Sequence, residues 1–300
     1  MSKLTYYYLR LIETISRNLA NKTSFLFFDK VFCKAKYRRI LHKKLNLKKP
    51  LGFNAKIQWL KLYDRKPLYT QLADKYAVRD YVKERVGNQY LNKLFGVYDS
   101  VNDINFDSLP NKFILKATHG GGMNIICEEK EDLDMNLVKE KFDKWMQINF
   151  YHRKGEWQYK NIKPRIICEK FLEGDDNLVA NDYKIYCFNG KPSYILVIAD
   201  RFIQCKEAVF DTNWKKMPFH FDYPLTDKFI PEPAQFDLML NLAKKLSSGI
   251  DFCRVDMYSC NGQVIIGELT LHTASGFEIF DPPEYDDKFG ELLRISKRDK

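Results

Sequence analysis

Residues 116–124 read KATHGGGMN, three consecutive glycines behind a lysine and a histidine. A backbone this bare suits three kinds of chemistry. A His-Gly-Gly-Gly loop stabilises an oxyanion in esterases, but that requires a G-x-S-x-G nucleophile elbow, and the sequence contains none. A tight hairpin uses glycine for positive φ, although one glycine satisfies most such turns. A loop covering phosphates uses several: exposed N–H groups approach the oxygens, and Lys116 on the preceding strand adds charge. No G-K-[ST] follows, so the pattern is not a P-loop.

Phosphate chemistry calls for magnesium and hard oxygen ligands beside it. RVDMYSCNGQVIIGELT supplies Asp256 and Glu268 on two strands of a hairpin. If position 256 pairs with 268, both carboxylates leave one face about 5 Å apart. A two-residue Asn261-Gly262 turn would instead pair Asp256 with Gly267, so the metal reading requires an odd loop or a bulge. Like charges placed directly opposite destabilise a sheet unless a cation offsets them. Period-two spacing adds Arg254 beside Asp256 and Thr270 beside Glu268. Upstream, RIICEKFLEG ends an apolar strand on Glu169 and Lys170, and DYKIYCFNGKP sets Asp182, Lys184 and Tyr186 on one face before an Asn189-Gly190 turn. Asp182 and Lys184 suit either a simple ion pair or contacts to a ribose and a phosphate.

These residues need strands to carry them. KFILKA and MNIICE read as strands flanking the glycines; RIICEKFL, DYKIYCF, SYILVIAD, QCKEAVF, FCRVDMYS and QVIIGELTL read as further strands. Helices are predicted over 137–151 and 235–246 and through much of 50–96, with Gly87 closing one. The order gives an α+β chain with mostly antiparallel strands and no internal repeat.

Charge is unevenly spread. Residues 1–56 hold fourteen Lys/Arg against Glu13 and Asp29, a net +12, while the other 244 residues hold 35 basic and 37 acidic side chains, a net −2. Leu4, Tyr7 or Tyr8, Leu11, Ile15 and Leu19 recur at helical spacing, and SFLFFDKVF precedes a basic run to Lys49. This arm reads either as helices docked on the body with a solvated basic rim, or as a contact for an anionic membrane through residues 1–49. No nucleic-acid-binding motif accompanies the charge. Seven cysteines without a C-x-x-C pair fit a reducing cytosol with neither disulfides nor zinc. No apolar run approaches the ~20 residues that span a bilayer, and the start lacks a signal-peptide pattern. The expected location is cytoplasmic, at most peripheral at the inner face of the membrane.

Taken in order, HGGGMNI, the E-K hinge, DYKIYCFNGKP, RVDMY and GELT followed by SGFE resemble the ATP-grasp superfamily, and within it the TupA-like branch associated with teichuronopeptide and surface-polysaccharide biosynthesis. The resemblance runs from about Leu47 to about Gly290. It implies an ATP-grasp fold of two α+β lobes with ATP between them. The regions would be a basic arm at 1–55, a mainly helical region at 56–110, a lid lobe at 111–175 and a metal-bearing lobe at 176–300. The implied activity is ATP- and magnesium-dependent ligation of a carboxylate to an amine through an acyl phosphate, joining an amino acid or amine to a uronic acid of a saccharide.

By position, Lys116, His119, Gly120, Gly121, Gly122 and Lys170 would hold the phosphates; Glu169, Phe171 and Leu172 would face adenine; Asp182 would meet the ribose. Asp256, Glu268 and Thr270 would ligate magnesium, and Arg254, Lys184 and Arg201 would offset charge at the reacting centre. Ala55 stands where the branch carries glutamate, and LTLHTASGF replaces its F-Y-P-G-S-G-F type stretch, which brings His272 and Thr273 to the acceptor side. The competing readings are a glycosyltransferase using Asp132-Leu133-Asp134 as a D-x-D motif, and a binding module without catalysis.

Overall fold

A computed structural model describes residues 1–23, 25–173, 182–199 and 205–296. Arg201 lies outside the described residues. The first sheet holds β1 (Leu94–Tyr98), β2 (Phe113–Ala117), β3 (Asn124–Cys127) and β4 (Ile166–Lys170) in the order β1-β4-β2-β3. The second holds β5 (Asp182–Phe188), β6 (Lys191–Ala199), β7 (Lys206–Asp211), β8 (Phe252–Cys260) and β9 (Gln263–Thr270) in the order β7-β6-β5-β8-β9. All these pairings are antiparallel. The helices are α1 (Lys3–Thr23), α2 (Leu26–Leu41), α3 (Phe53–Tyr63), α4 (Pro67–Ala73), α5 (Val78–Val86), α6 (Met135–Met146), α7 (Tyr151–Lys154), α8 (Phe236–Ser247) and α9 (Tyr285–Leu292). The chain is α+β, with the expected strands in place and one addition.

That addition is β1, in a stretch read as helical. Gly96 in the middle of LFGVY masks a strand whose pairing partner β4 lies some seventy residues later. The helix expected over 137–151 is two: α6 stops at Met146, and Asn149 then accepts the Tyr151 N–H at 3.1 Å to start α7. α5 ends at Gly87 with φ +109°, which a Cβ would oppose.

Alternation sets the layers. In β5, Tyr183, Ile185 and Cys187 face a core with α4, α5 and α8, whereas Tyr186 and Phe188 face an aromatic core with α3 and α9. Phe53 of α3 sits edge-on to Phe188, Phe252, Phe280 and Phe289 with centroids 5.0–6.0 Å apart. The first sheet buries Phe113, Leu115, Ala117, Ile166 and Cys168 against Val138 and Phe142 of α6.

α1 and α2 form a hairpin whose inner face is charged. Arg17 and Arg65 meet buried Asp29 at 2.8 and 3.0 Å, the Tyr151 hydroxyl donates to it at 3.0 Å, and Arg39 pairs with Glu13 at 2.6 Å. α2 adds Phe32, Cys33 and Tyr37 to a core with Ala55, Leu62 and Phe277.

Candidate active site

The two sheets face each other across a cavity of about 440 Å³. On the first sheet, Ile114, Lys116, Asn124, Ile126, Ile167 and Glu169 share the cavity face, because Lys116 pairs with Asn124 and Ile167 while Ile114 pairs with Ile126 and Glu169. On the second, Asp182, Lys184, Arg254, Asp256, Tyr258 and Glu268 share the opposing wall. The same face of β5 and β8 changes character along its length. Lys184 is opposite Asp256, Tyr186 opposite Arg254, and Phe188 opposite Phe252, so the strands are charged at the cavity and aromatic beyond it.

Asp256 pairs with Glu268, the register that the metal reading needs. The connection is nevertheless the two-residue turn, with Asn261 and Gly262 at φ +48° and +73°, and a bulge at Gly267 restores the register. The bulge brings backbone close: a Cβ at Gly267 would lie 2.8 Å from the Tyr258 ring and 3.3 Å from the Asp256 carbonyl oxygen.

The like charges at 256 and 268 already have a cation between them. Arg254 donates to both Asp256 oxygens at 2.7 Å and lies 3.5 Å from Glu268 Oε1. Lys184 pairs with Asp182 and lies 3.4 Å from Asp256. Arg254 thus supplies the offsetting cation, and the carboxylate pairing does not by itself demand a metal. Thr270 Oγ1 donates to Glu268 Oε1 at 2.9 Å and so orients that carboxylate. Among the described residues no group of three or more His, Cys, Asp or Glu could hold a metal. The donor set still fits magnesium, which keeps waters and phosphate oxygens around one or two carboxylates: Asp256 Oδ1 accepts only from Arg254, and the Glu268 contacts among the described residues fall on Oε1, so Asp256 Oδ1 and Glu268 Oε2 keep lone pairs. Burial pushes the Glu268 carboxyl up, but Lys75, Arg254, the Thr270 hydroxyl and Lys184 together outweigh it and hold it at about 2.

Lys75 was not singled out from sequence. It stands in the turn between α4 and α5, lines the cavity, and donates to the Gly120 carbonyl at 2.6 Å. Burial lowers its pKa, with Lys116 adding to the effect and Glu268 and Glu169 opposing it. In the sequence it resembles any lysine on an amphipathic helix. Arg79 was missed for the same reason. It donates to Glu169 Oε1 at 2.9 Å, while Lys116 donates to Oε2 at 2.8 Å. The Glu169 carboxylate is thus engaged in holding Lys116. Lys170, Phe171 and Leu172 line the cavity, and the Lys170 carbonyl accepts from Asn92 at 2.8 Å.

The three loop glycines are not equivalent. Gly121 and Gly122 line the cavity, Gly122 at φ +72°, and a Cβ on Gly122 would meet nothing. Gly120 is buried, and a Cβ there would strike Met123 and Phe150. His119 does not line the cavity. It is 2% exposed, its Nε2 bonds the Trp145 carbonyl at 3.0 Å, and burial holds its pKa below the ordinary value. Its role is to tie the loop to α6. His272 is likewise buried, bonding Gln158 at 3.1 Å, whereas Thr273 accepts from Arg254 at 3.2 Å and donates to Glu278 at 2.9 Å. In the D-x-D triplet, Asp134 caps α6 by accepting from Asn136 and Leu137 N–H at 2.9 and 3.0 Å.

A glycine hairpin beside a cavity walled by two antiparallel sheets, with Lys116 on one wall and Asp256 and Glu268 among Arg254 and Lys184 on the other, fits an ATP-grasp protein. A model of TupA-like ATPgrasp proteins matches residues 55–294, and the chain belongs to that family. Among solved structures it is similar to a D-alanine–D-alanine ligase from Bacillus anthracis, at 18% identity over 81% of this chain and 68% of that one, with TM-score 0.43. It is also similar to the ATP-grasp ligase PsnB complexed with minimal precursor, Mg and ADP, at 13% identity over 92% and 73% of the two chains, with TM-score 0.44. A RimK domain ATP-grasp protein from Sphaerobacter thermophilus matches at 10% identity over 75% and 69%, with TM-score 0.41. No curated protein matches the chain.

Proposed function

We propose that the protein is an ATP- and magnesium-dependent carboxylate–amine ligase. The observation that supports this most is the division of the cavity: Lys116 and Lys75 beside the glycine loop on one side, and Asp256, Glu268, Arg254 and Lys184 on the other. In this reading the N–H groups of Gly121 and Gly122 and the two lysines bind the phosphates, Glu169 orients Lys116, and Asp182 meets the ribose. Asp256 and Glu268 would hold magnesium, which when bound supplies positive charge to the phosphate oxygens.

The substrate carboxylate attacks the γ-phosphorus, ADP leaves, and an amine then attacks the acyl carbon with loss of phosphate, forming an amide. Arg254 and Lys184 offset the negative charge that develops, and the closed loop keeps water from the acyl phosphate. In this reading the carboxylate substrate is a uronic-acid-containing saccharide and its partner an amino acid or amine, as the resemblance of the motifs to the surface-polysaccharide branch implies. Contact with an anionic membrane through residues 1–49, on the cytoplasmic side, belongs to the same proposal.

The test is incubation with Mg-ATP, candidate uronic acids and amino acids. ADP and phosphate should appear only when both substrates are present, and Glu268→Gln should lower kcat by at least about a hundredfold. Release of nucleotide from a sugar nucleotide, with ATP inert, would establish a glycosyltransferase instead.

A further inference from the structure

The α1–α2 hairpin packs the opposite way from an ordinary amphipathic helix. Leu9, Glu13, Ser16, Arg17 and Ala20 face inward, while Leu4, Leu11 and Ile15 are 82%, 57% and 50% exposed, with Tyr7, Tyr8 and Leu19 beside them. The apolar stripe therefore runs along the outside of α1, and none of the described residues covers it. Along one flank of that stripe lies a cavity of about 460 Å³, walled by Arg10 and Arg17 of α1, Lys36 and Arg39 of α2, Arg153 of α7, and the single acid Glu13. Arg39 is matched by Glu13 and Arg17 by Asp29. Arg10, Lys36 and Arg153 have no carboxylate within ion-pairing distance among the described residues. The wall's five cations outnumber its one acid, a charge that an anion would offset; burial and the like charges of Lys61, Lys154 and Arg39 lower the Lys36 pKa to about 8 against the pull of Glu13.

We propose that this cavity seats the phosphate of an anionic membrane lipid while the stripe of α1 lies in the outer acyl region. One helix carries both features on adjoining flanks, which matches a ligand whose phosphate adjoins an apolar body. α1 has 21 residues and lies along the surface, since no helix among the described residues is long and apolar enough to cross a membrane. A second copy of the chain would bring another arm of net +12 to the same face, and like charges would repel it; an anionic bilayer complements that charge. The inference rests on the proposed membrane contact of residues 1–49 and adds a specific headgroup site to it.

The experiment is flotation of the full chain with phosphatidylcholine vesicles, with and without phosphatidylglycerol, at low salt. Binding should require phosphatidylglycerol. Arg10→Gln with Arg153→Gln should weaken it at least about tenfold more than Lys44→Gln with Lys48→Gln, the same charge change on exposed arm positions outside the cavity. Leu11→Gln with Ile15→Gln should abolish it. All these positions are exposed, so each variant folds as the parent does. Equal losses from the two basic pairs would leave the membrane contact standing and overturn the headgroup site. An unaffected Leu11/Ile15 variant would show that headgroup charge alone holds the vesicle and overturn the placement of the α1 stripe in the acyl region, and no binding to either vesicle would overturn both readings.

Discussion

Glu278 and His272 are both buried and titrate in opposing senses. Burial and the like charge of Asp222 raise Glu278 from 4.5 to about 7, with Thr273 and Arg254 opposing. The native state therefore holds a proton that the unfolded chain has lost, and stability falls as pH rises from 4.5 to about 7. Burial and Lys61 lower His272 from 6.5 to about 3, so the unfolded chain protonates first and stability is lost as pH falls below 6.5. The two slopes offset each other in mildly acidic solution. Glu278→Gln removes the first and should stabilise the protein at pH above 7 by up to about 3 kcal/mol, leaving a melting temperature that drops on acidification. Melting curves across this range check it; an unchanged melting temperature in alkaline solution would show that Glu278 ionises freely. At this scale the sequence made Asp256, Glu268 and Lys116 legible because each belongs to a motif. Lys75 and Arg79 were illegible because their partners, Gly120 and Glu169, are distant in the chain.

The β8–β9 hairpin shows where periodicity stops informing. Alternation places Arg254 with Asp256 and Glu268 with Thr270, and Asn261-Gly262 marks the turn. Whether the carboxylates face each other depends on one extra residue, and the bulge at Gly267 supplies it where Tyr258 and the Asp256 carbonyl leave no room for a side chain. Gly267→Ala should cost about 1–3 kcal/mol and lower ligase kcat at least about tenfold, through displacement of Glu268. Melting temperature and turnover with Mg-ATP check this; a variant with parental values for both would separate the register from function. β1 was missed for a related reason. Five residues interrupted by Gly96 carry too little pattern to outweigh the helical signal before them, and β4 makes them a strand by pairing with them.

At the scale of the molecule, buried Asp29 joins the arm to the rest. Arg17 of α1, Arg65 after α3 and Tyr151 of α7 converge on it. Asp29→Ala would leave two arginines facing each other, a loss of about 3–5 kcal/mol for a broken buried ion pair. The cost falls on the docking of the arm, so limited proteolysis should trim residues 1–45 quickly while the sheets persist; a parental digestion pattern would sink this. What the sequence determined by itself follows from neighbours along the chain: the charge of the arm, the faces of β5, β8 and β9, the glycine loop, and the motif order that marks an ATP-grasp protein. Periodicity reports that a stripe exists but not what covers it. Only the tertiary structure decided that the stripe of α1 points outward, that His119 is buried against α6, and that Arg254 stands between Asp256 and Glu268, because each depends on groups brought together by packing across long stretches of chain.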